Sequence, residues 1–587
     1  MPAVKRQSKS TAATPRVTAQ SPSTTPNSKS ASPSSGSGSL GLFLAILTFR
    51  LLNAFSVQTF LLPDETWQSL EVAHHMVFGT GYLTWEWAHR LRGYAHPWLF
   101  AQLYRVLTYL EERAGGLVGT SEVLIYAPVV GCGLTAAVID WATYRFTRTW
   151  LGPAVARWAL WASLVSWTMG TLMVRPLANA AETACVALAL TAWPTASSSS
   201  GSSGAFPALR DLPRALAWAA LGCLLRPTSA LLWLGAGLQL IWHHPRWIGS
   251  ILACTIPIFA TALGLMLLID HSFYGEWVFV PFNFYYFNVD QNLSAWFGTQ
   301  PWYWYPAVGI PLLLTTLLPH ALYGTYLVST QPALAPFRRW LWIAAGVIAG
   351  YSALSHKEAR FLSCLLPIMF ALTGLGLQRH LALPARKRGR TTTASTFSLR
   401  PGALKYFIFL LITNLPVTLY TNLVHQRGVV DVVNSFRHQL HEQRSGLAQS
   451  DIAGSTPIEH ILFLMPCHST PYYSHIHYNV SLSFLGCEPP VNFNRPLAEY
   501  QYDSGSYGEN PALFLHNYFD SPGSIASSPH PTSSPPSHIV IYDVDTSALL
   551  PVLHANNYTE CGRFFNTHWN GDSRRRGDVV VFCRKPV

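Results

Sequence analysis

The sequence predicts a polytopic α-helical membrane protein of about 11 transmembrane helices, closed by a small α/β C-terminal domain. Three observations predict it. Only 11% of the 587 residues are charged, where a soluble domain carries roughly 25%. Hydrophobic residues make up 49%, with 21 Trp, 25 Tyr and 30 Phe. Apolar runs long enough, or nearly so, to cross a bilayer begin near Leu40, Glu122, Pro153, Leu177, Pro213, Thr228, Gly249, Pro306, Arg339, Phe361 and Ala403. A chain so poor in charge cannot cover a water-facing surface, which excludes a soluble enzyme, a disordered scaffold and a small disulfide framework.

Residues 1–38 carry Lys5, Arg6, Lys9, Arg16 and Lys29, no acid, and otherwise mostly Ser, Thr, Pro and Ala. They read as a disordered basic cytosolic tail that orients the first span by the positive-inside rule. They lack the apolar core of a signal peptide, and no nucleic-acid partner is expected. Residues 39–422 read as the multi-span domain, with lumenal loops at 61–121 and 271–305. Within it, Arg226-Pro227 splits the run 213–242, and the amphipathic stretch 96–112 reads as an interfacial helix. Alternating the spans from a cytosolic N-terminus puts Arg145, Arg148, Arg246, Arg338 and Arg339 in the cytosol. The same alternation puts the sequons at Asn292, Asn479 and Asn557 in the lumen, where glycosylation happens.

Residues 423–587 read as a lumenal domain with strand-like runs at Ile461–Met465, His538–Val544 and Asp578–Phe582. The Ser/Pro segment 521–537 reads as a disordered insertion, and Ser197–Gly204 as its cytosolic counterpart. Cys467, Cys487, Cys561 and Cys583 all fall in this oxidising part, and four cysteines leave three pairings open.

Charge is so scarce that its lumenal clusters carry information. The first follows the opening span: Asp64, Glu65, Trp67, Gln68, Glu71, His74, Trp85 and Glu86. Adjacent carboxylates at a membrane surface are costly without a cation, a metal or a proton-transfer task. Trp67, Leu70, Glu71 and His74 share one helical face. An N-cap role would account for Asp64, yet leaves Glu65, Glu71 and Glu86 unexplained. His74-His75 lacks the i, i+4 spacing of a metal pair, so no metal is expected. The second cluster is His356, Lys357, Glu358 and Arg360, cations beside lipid that suit a phosphate head group. Arg175, Asn179 and Glu182, and separately Arg226, stand at further lumenal span ends. The aromatic loops 282–287 and 296–305 suit an interfacial belt better than sugar stacking. These residues suit group transfer from a lipid phosphate; a lipid or sugar transporter is the alternative, though no matching halves support it.

The stretch PDETWQSLEVAHHMVFGTGYLTWEW (63–87) and the block SHKEARF (355–361) resemble the dolichyl-phosphate-mannose-dependent α-mannosyltransferases, glycosyltransferase family 22, with the type C membrane fold. LVHQRG (423–428) and MPCHSTPYYSHIH (465–477) resemble the branch that adds the third mannose to the GPI-anchor precursor. The alternatives within the family are the N-glycan enzymes and the fourth-mannose enzyme. The resemblance implies an endoplasmic-reticulum membrane enzyme and a β-linked donor, dolichyl-phosphate mannose, as co-substrate with no further cofactor. The acceptor is a two-mannose GPI glycolipid and the product is α-1,2-linked, so the reaction inverts. It implies Asp64 as general base with Glu65 in reserve, and His356, Lys357, Arg360 and Arg226 as ligands of the donor phosphate. Trp67, Gln68, Glu71, His74, Trp85, Glu86, Arg175, Asn179, Glu182 and Glu358 are candidates for substrate contact. No protein partner is implied.

Overall fold

In the computed structural model every one of these apolar runs is helical. The structure describes residues 35–115, 120–195, 210–382, 400–445, 456–491, 499–520 and 535–585. The chain divides into two units, Met1–Leu42 and Phe43–Val587. The first is described only from Ser35, where the opening helix Ser35–Phe55 begins. Residues 35–38, assigned to the tail by composition, are thus helical; the helix started by the apolar run extends about one turn outward. The rest of the tail, Ser197–Gly204 and positions 521–534 of the insertion lie outside the described residues.

Among the described residues, five helical segments are long and apolar enough to cross a membrane: Glu122–Leu151, Pro245–Tyr274, Tyr305–Thr330, Ala359–Leu381 and Ala403–Ser445. Shorter apolar helices at Ser39–Phe55, Ala178–Ala192 and Leu212–Leu225 join them. Arg226 and Pro227 break the helix that starts at Leu212, and a new one runs from Ala230 to His243. The amphipathic stretch forms the helix Ala95–Arg113.

Two contacts fix the helical body. In one, a Cβ on Gly324 would meet the carbonyl oxygen of Leu372 at 2.0 Å, and one on Gly376 would meet that of His320 at 2.1 Å. Only glycine allows two helices this close backbone approach, and it seats the helix that begins beside Arg360. In the other, Arg50 and Asp140 are fully buried. Arg50 Nε donates to Asp140 at 2.6 Å, and its Nη2 donates to the Ser163 carbonyl at 2.9 Å. Asn53 and Asn422 both donate to the Gly170 carbonyl at 2.9 Å, so the break after Val165 is tied to two further helices.

The C-terminal domain is a five-stranded sheet in the order β2-β1-β3-β5-β4, built from β1 (His460–Leu464), β2 (Ser481–Phe484), β3 (His538–Tyr542), β4 (Tyr558–Phe564) and β5 (Val579–Arg584). β1 pairs in parallel with β2 and β3, while β5 is antiparallel to β3 and β4. Ile461, Phe463, Val540 and Val581 pack under Val429, Val432 and Phe436 of the helix Gly428–Ser445. Leu462, Leu464, Ile539 and Phe582 pack against Leu515, Leu549 and Leu553. Both faces are covered, so β1, β3 and β5 read as unbroken apolar runs and were visible in the sequence. β2 and β4 were not, because β2 has four residues and β4 is an edge strand with polar, exposed positions. The structure pairs Cys467 with Cys487 and Cys561 with Cys583. The insertion also ends earlier than composition suggests. Ser537 is buried, and its hydroxyl accepts from the Glu459 and His460 amides at 3.1 Å, which sews it to the edge of β1.

The buried Arg50–Asp140 pair carries a direct test. Arg50→Met leaves an uncompensated buried carboxylate and should cost about 3–5 kcal/mol. Arg50→Met with Asp140→Leu should recover most of it, read as thermal midpoints of the detergent-solubilised protein.

Candidate active site

A cavity of about 480 Å³ lies where the loop after the first helix, the 355–361 segment and the C-terminal domain converge. Leu62 and Pro63 end the extended entry, and the Thr66 and Trp67 amides donate to the Pro63 carbonyl at 3.2 and 3.0 Å. A single π-helical turn, Thr66–Leu70, follows and leads into the helix Glu71–Phe78. Asp64 is therefore in the first turn with its carboxylate free of capping. It accepts instead from Arg360 Nη1 at 2.6 Å.

Arg360 holds the site together. Its Nε and Nη2 engage both oxygens of Glu358 at 2.6 and 2.8 Å, the bidentate geometry a guanidinium fork favours. His356 Nε2 lies 3.3 Å from Glu358, and its Nδ1 lies 3.0 Å from the Gly298 carbonyl. The hydrogen bond to Glu358 raises the His356 pKa above its ordinary value despite partial burial. Burial alone would raise the Glu358 carboxyl, but Arg360 and His356 outweigh it and hold it below the usual range. The guanidinium groups of Arg226 and Arg360 both stand over the Phe361 ring, at 5.8 and 5.7 Å, within cation–π range.

Several predicted residues share this cavity. Asp64, Trp67, Gln68, Trp85, Glu86, Asn179, Arg226, His356, Glu358 and Arg360 all line it. Gln68 donates to Glu86 at 3.1 Å and Asn179 to the Arg360 carbonyl at 3.0 Å. Trp85 stacks on Phe297 at 5.9 Å and an interplanar angle of 11°. Of the aromatic loops, Phe284, Phe287 and Phe297 therefore face the cavity, while Trp302 and Tyr303 are exposed.

Six others are placed elsewhere. Glu65, the reserve base, is buried outside the cavity; it accepts from the Leu61 and Leu62 amides and pairs with Arg175 Nη1 at 2.7 Å. Arg175 spends its remaining donors on Thr59 and the Thr171 carbonyl, and neither residue lines the cavity. Glu182 is fully buried behind the wall and partners Arg226 at 3.0 Å. Lys357 turns away from the cavity: its Nζ donates to the Gln300 carbonyl at 2.8 Å and to that of Leu354, clamping the neighbouring loop. Glu71 and His74 belong to a joint with the C-terminal domain. Each of these polar groups was forced to find a partner by burial, and the partners come from distant segments that sequence cannot pair.

The joint is specific. Glu71 accepts from the Tyr82 and Tyr473 amides at 3.2 Å and from the Ser474 amide at 2.8 Å. Trp67 Nε1 donates to the Thr470 carbonyl at 2.9 Å, and its ring packs on His468, Tyr472 and Phe484. His74 packs on His477 and meets the Thr80 carbonyl. Burial lowers His74 to about 4.

Sequence reasoning missed Arg92, His96, His468 and Arg575, which also line the cavity. Arg92 pairs with Glu86 at 2.6 Å and stands six residues after it, so extending the first charge cluster would have found it. His96 and His468 are each brought to about 4 by burial, and Arg575 sits in the Arg574-Arg575-Arg576 run, which reads as solvated surface. The three sequon asparagines are exposed.

A loop of carboxylates and cations around one cavity, at the junction of a helical membrane body and an α/β domain, defines a membrane glycosyltransferase site. Residues 41–477 match the model of the Alg9-like mannosyltransferase family. The chain belongs to this family and is a mannosyltransferase. It is 33% identical to GPI alpha-1,2-mannosyltransferase 3 of Bos taurus, covering 93% of this chain and 90% of that one. It is 34% identical to the Homo sapiens protein of the same name, over 93% and 87%, and 34% to Mannosyltransferase APTG1 of Arabidopsis thaliana, over 92% and 91%. The crystal structure of ArnT from Cupriavidus metallidurans bound to undecaprenyl phosphate is 12% identical with a TM-score of 0.49, covering 93% of this chain and 98% of that one.

Glu71 makes the joint sensitive to pH. Burial raises its pKa from 4.5 to about 7 against the pull of three amide donors. The folded state therefore holds the proton more tightly than the unfolded chain. Its stabilising contribution is complete below about pH 4.5 and is lost as pH rises through about 7. The thermal midpoint should fall across that window by the equivalent of about 3 kcal/mol, and Glu71→Gln should flatten the fall.

Proposed function

We propose that the chain transfers the third mannose of the GPI anchor, in α-1,2 linkage, from dolichyl-phosphate mannose to a two-mannose glycolipid acceptor. The reaction runs on the lumenal face of the endoplasmic reticulum, with the N-terminus cytosolic and the C-terminal domain lumenal. The observation that carries this reading is Asp64, an unshared acid at the cavity wall oriented by a buried arginine. Its support in the chain is the likeness to the GPI enzymes at 33–34% identity.

A β-linked donor and an α-linked product require one in-line displacement. The acceptor hydroxyl oxygen forms the new bond to C1 of mannose as the C1–oxygen bond to phosphate breaks. Asp64 takes the hydroxyl proton, and the bonding electrons leave with dolichyl phosphate. Arg360, Arg226 and His356 stabilise that developing charge in a site shielded from water. Dolichyl phosphate departs as an anion, so no second acid is needed to protonate it. Glu358 fixes the two cations nearest it, while Trp85 and Phe297 supply a flat face for a sugar ring.

Asp64→Asn in microsomes should lose transfer by about 100-fold or more at unchanged protein level, with the two-mannose precursor accumulating. Normal anchor maturation in that variant would sink the assignment. Glu65→Gln, which strands Arg175, should instead reduce the amount of folded protein. An in vitro assay with dolichyl-phosphate mannose and acceptors of one, two or three mannoses should show transfer to the two-mannose acceptor alone; transfer to another would reassign the step.

A further inference from the structure

Four arginines line the cavity among the described residues, and three of them are already neutralised. Arg360 has Asp64 and Glu358 at 2.6 Å, Arg92 has Glu86 at 2.6 Å, and Arg226 has Glu182 at 3.0 Å. Arg575 differs. Its ion-pair partner, Asp572, stands 3.6 Å from Nε, beyond hydrogen-bond reach. Both oxygens of Asp572 are already taken by Arg574, through Nε at 3.0 Å, Nη2 at 2.8 Å and the amide at 3.1 Å. The Nε of Arg575, like that of Arg226, is buried with no hydrogen-bond partner, but Arg226 has a carboxylate at 3.0 Å and Arg575 has none so near.

The fold holds Arg575 in that condition. It ends the short turn Ser573–Arg575, whose start Asp572 caps through the Arg574 amide. Among the described residues, the C-terminal domain contributes Cys467, His468, Cys487 and Arg575 to the cavity wall, and no carboxylate. The cysteines are joined in a disulfide. Burial and the positive field of Arg575 keep His468 neutral near pH 7, against the opposing pull of Asp64. This wall therefore presents one arginine fork with spare donors in a half-enclosed, otherwise uncharged setting. A resident surface pair would use Asp572 directly; here a neighbour occupies it.

We propose that Arg575 binds a phosphate ester of a substrate, forming an anion subsite on the C-terminal-domain wall separate from Arg360, Arg226 and His356. A planar guanidinium with unused donors matches the oxygens of a phosphate. The phosphate belongs either to the lipid-linked donor or to the glycolipid acceptor. The subsite rests on the mannosyl-transfer reading above and gives the C-terminal domain a part in substrate recognition.

Initial rates of the full-length enzyme, measured against each substrate in turn, test this. Arg575→Gln should raise the KM of one substrate about tenfold, the loss of one charged hydrogen bond, with kcat within about twofold. A higher donor KM assigns the phosphate to the donor, and a higher acceptor KM to the acceptor. Arg563→Gln, on the exposed face of the same domain, should change neither. Unchanged KM values, or a fall in kcat alone, would overturn the subsite. If the Gln variant fails to accumulate, Arg575→Lys decides: it keeps the charge but loses the fork, so an unchanged KM for both substrates overturns the proposal. Absence of transfer by the wild-type enzyme would instead refute the donor and acceptor reading.

Discussion

The guanidinium of Arg360 is the interaction on which the site depends. It joins the loop after the first helix, through Asp64, to the turn before the helix Ala359–Leu381, through Glu358. Two carboxylates near one another at a membrane surface would repel and each would need solvation. One cation between them removes both costs and fixes both positions. The backbone carbonyl of the same residue accepts from Asn179, which brings in a third element. Asp64 thus has a defined direction before any substrate arrives, which is what a proton acceptor requires.

The C-terminal domain is fastened to the helical body by a second device. Trp67 inserts into the core under the sheet, and Glu71, one turn later, ties down the backbone at Tyr473 and Ser474. The π-helical turn Thr66–Leu70 sets the angle between these residues and Asp64. One short segment consequently serves two surfaces: Asp64 and Gln68 face the cavity, while Glu71 and His74 face the domain. The domain in turn closes the cavity with His468 and Arg575. Site and domain docking are therefore coupled through a dozen residues of chain.

Burial explains how the first acidic cluster sorted itself. Glu65, Glu71 and Glu86 look alike in sequence, as acids among aromatics beside a span. Each was resolved by the partner that reached it: Arg175 for Glu65, backbone amides for Glu71, Arg92 and Gln68 for Glu86. Glu86 and Asp64 both stayed on the cavity wall, and of the two it is Asp64 that meets the second cluster, through Arg360. The same sorting turned Lys357 away from the cavity to two carbonyls and left Arg360 facing inward, although the two are three residues apart.

What the sequence determined by itself was everything set by local composition and period. Apolar runs gave the helices, unbroken aliphatic runs gave β1, β3 and β5, and scarcity of charge singled out 64–86 and 356–360, because each of these signals is contained in a few neighbouring residues. The tertiary structure alone decided the cysteine pairing, the edge strands, and which acid or base faces the cavity. Those outcomes depend on contacts such as Arg360 with Asp64, 296 residues apart, and on a turn that places Arg575 in the cavity wall while its neighbour Arg574 takes the available carboxylate. No local pattern encodes a partner so distant. The free energy of burying a charge is settled only when the fold supplies, or withholds, its counter-charge.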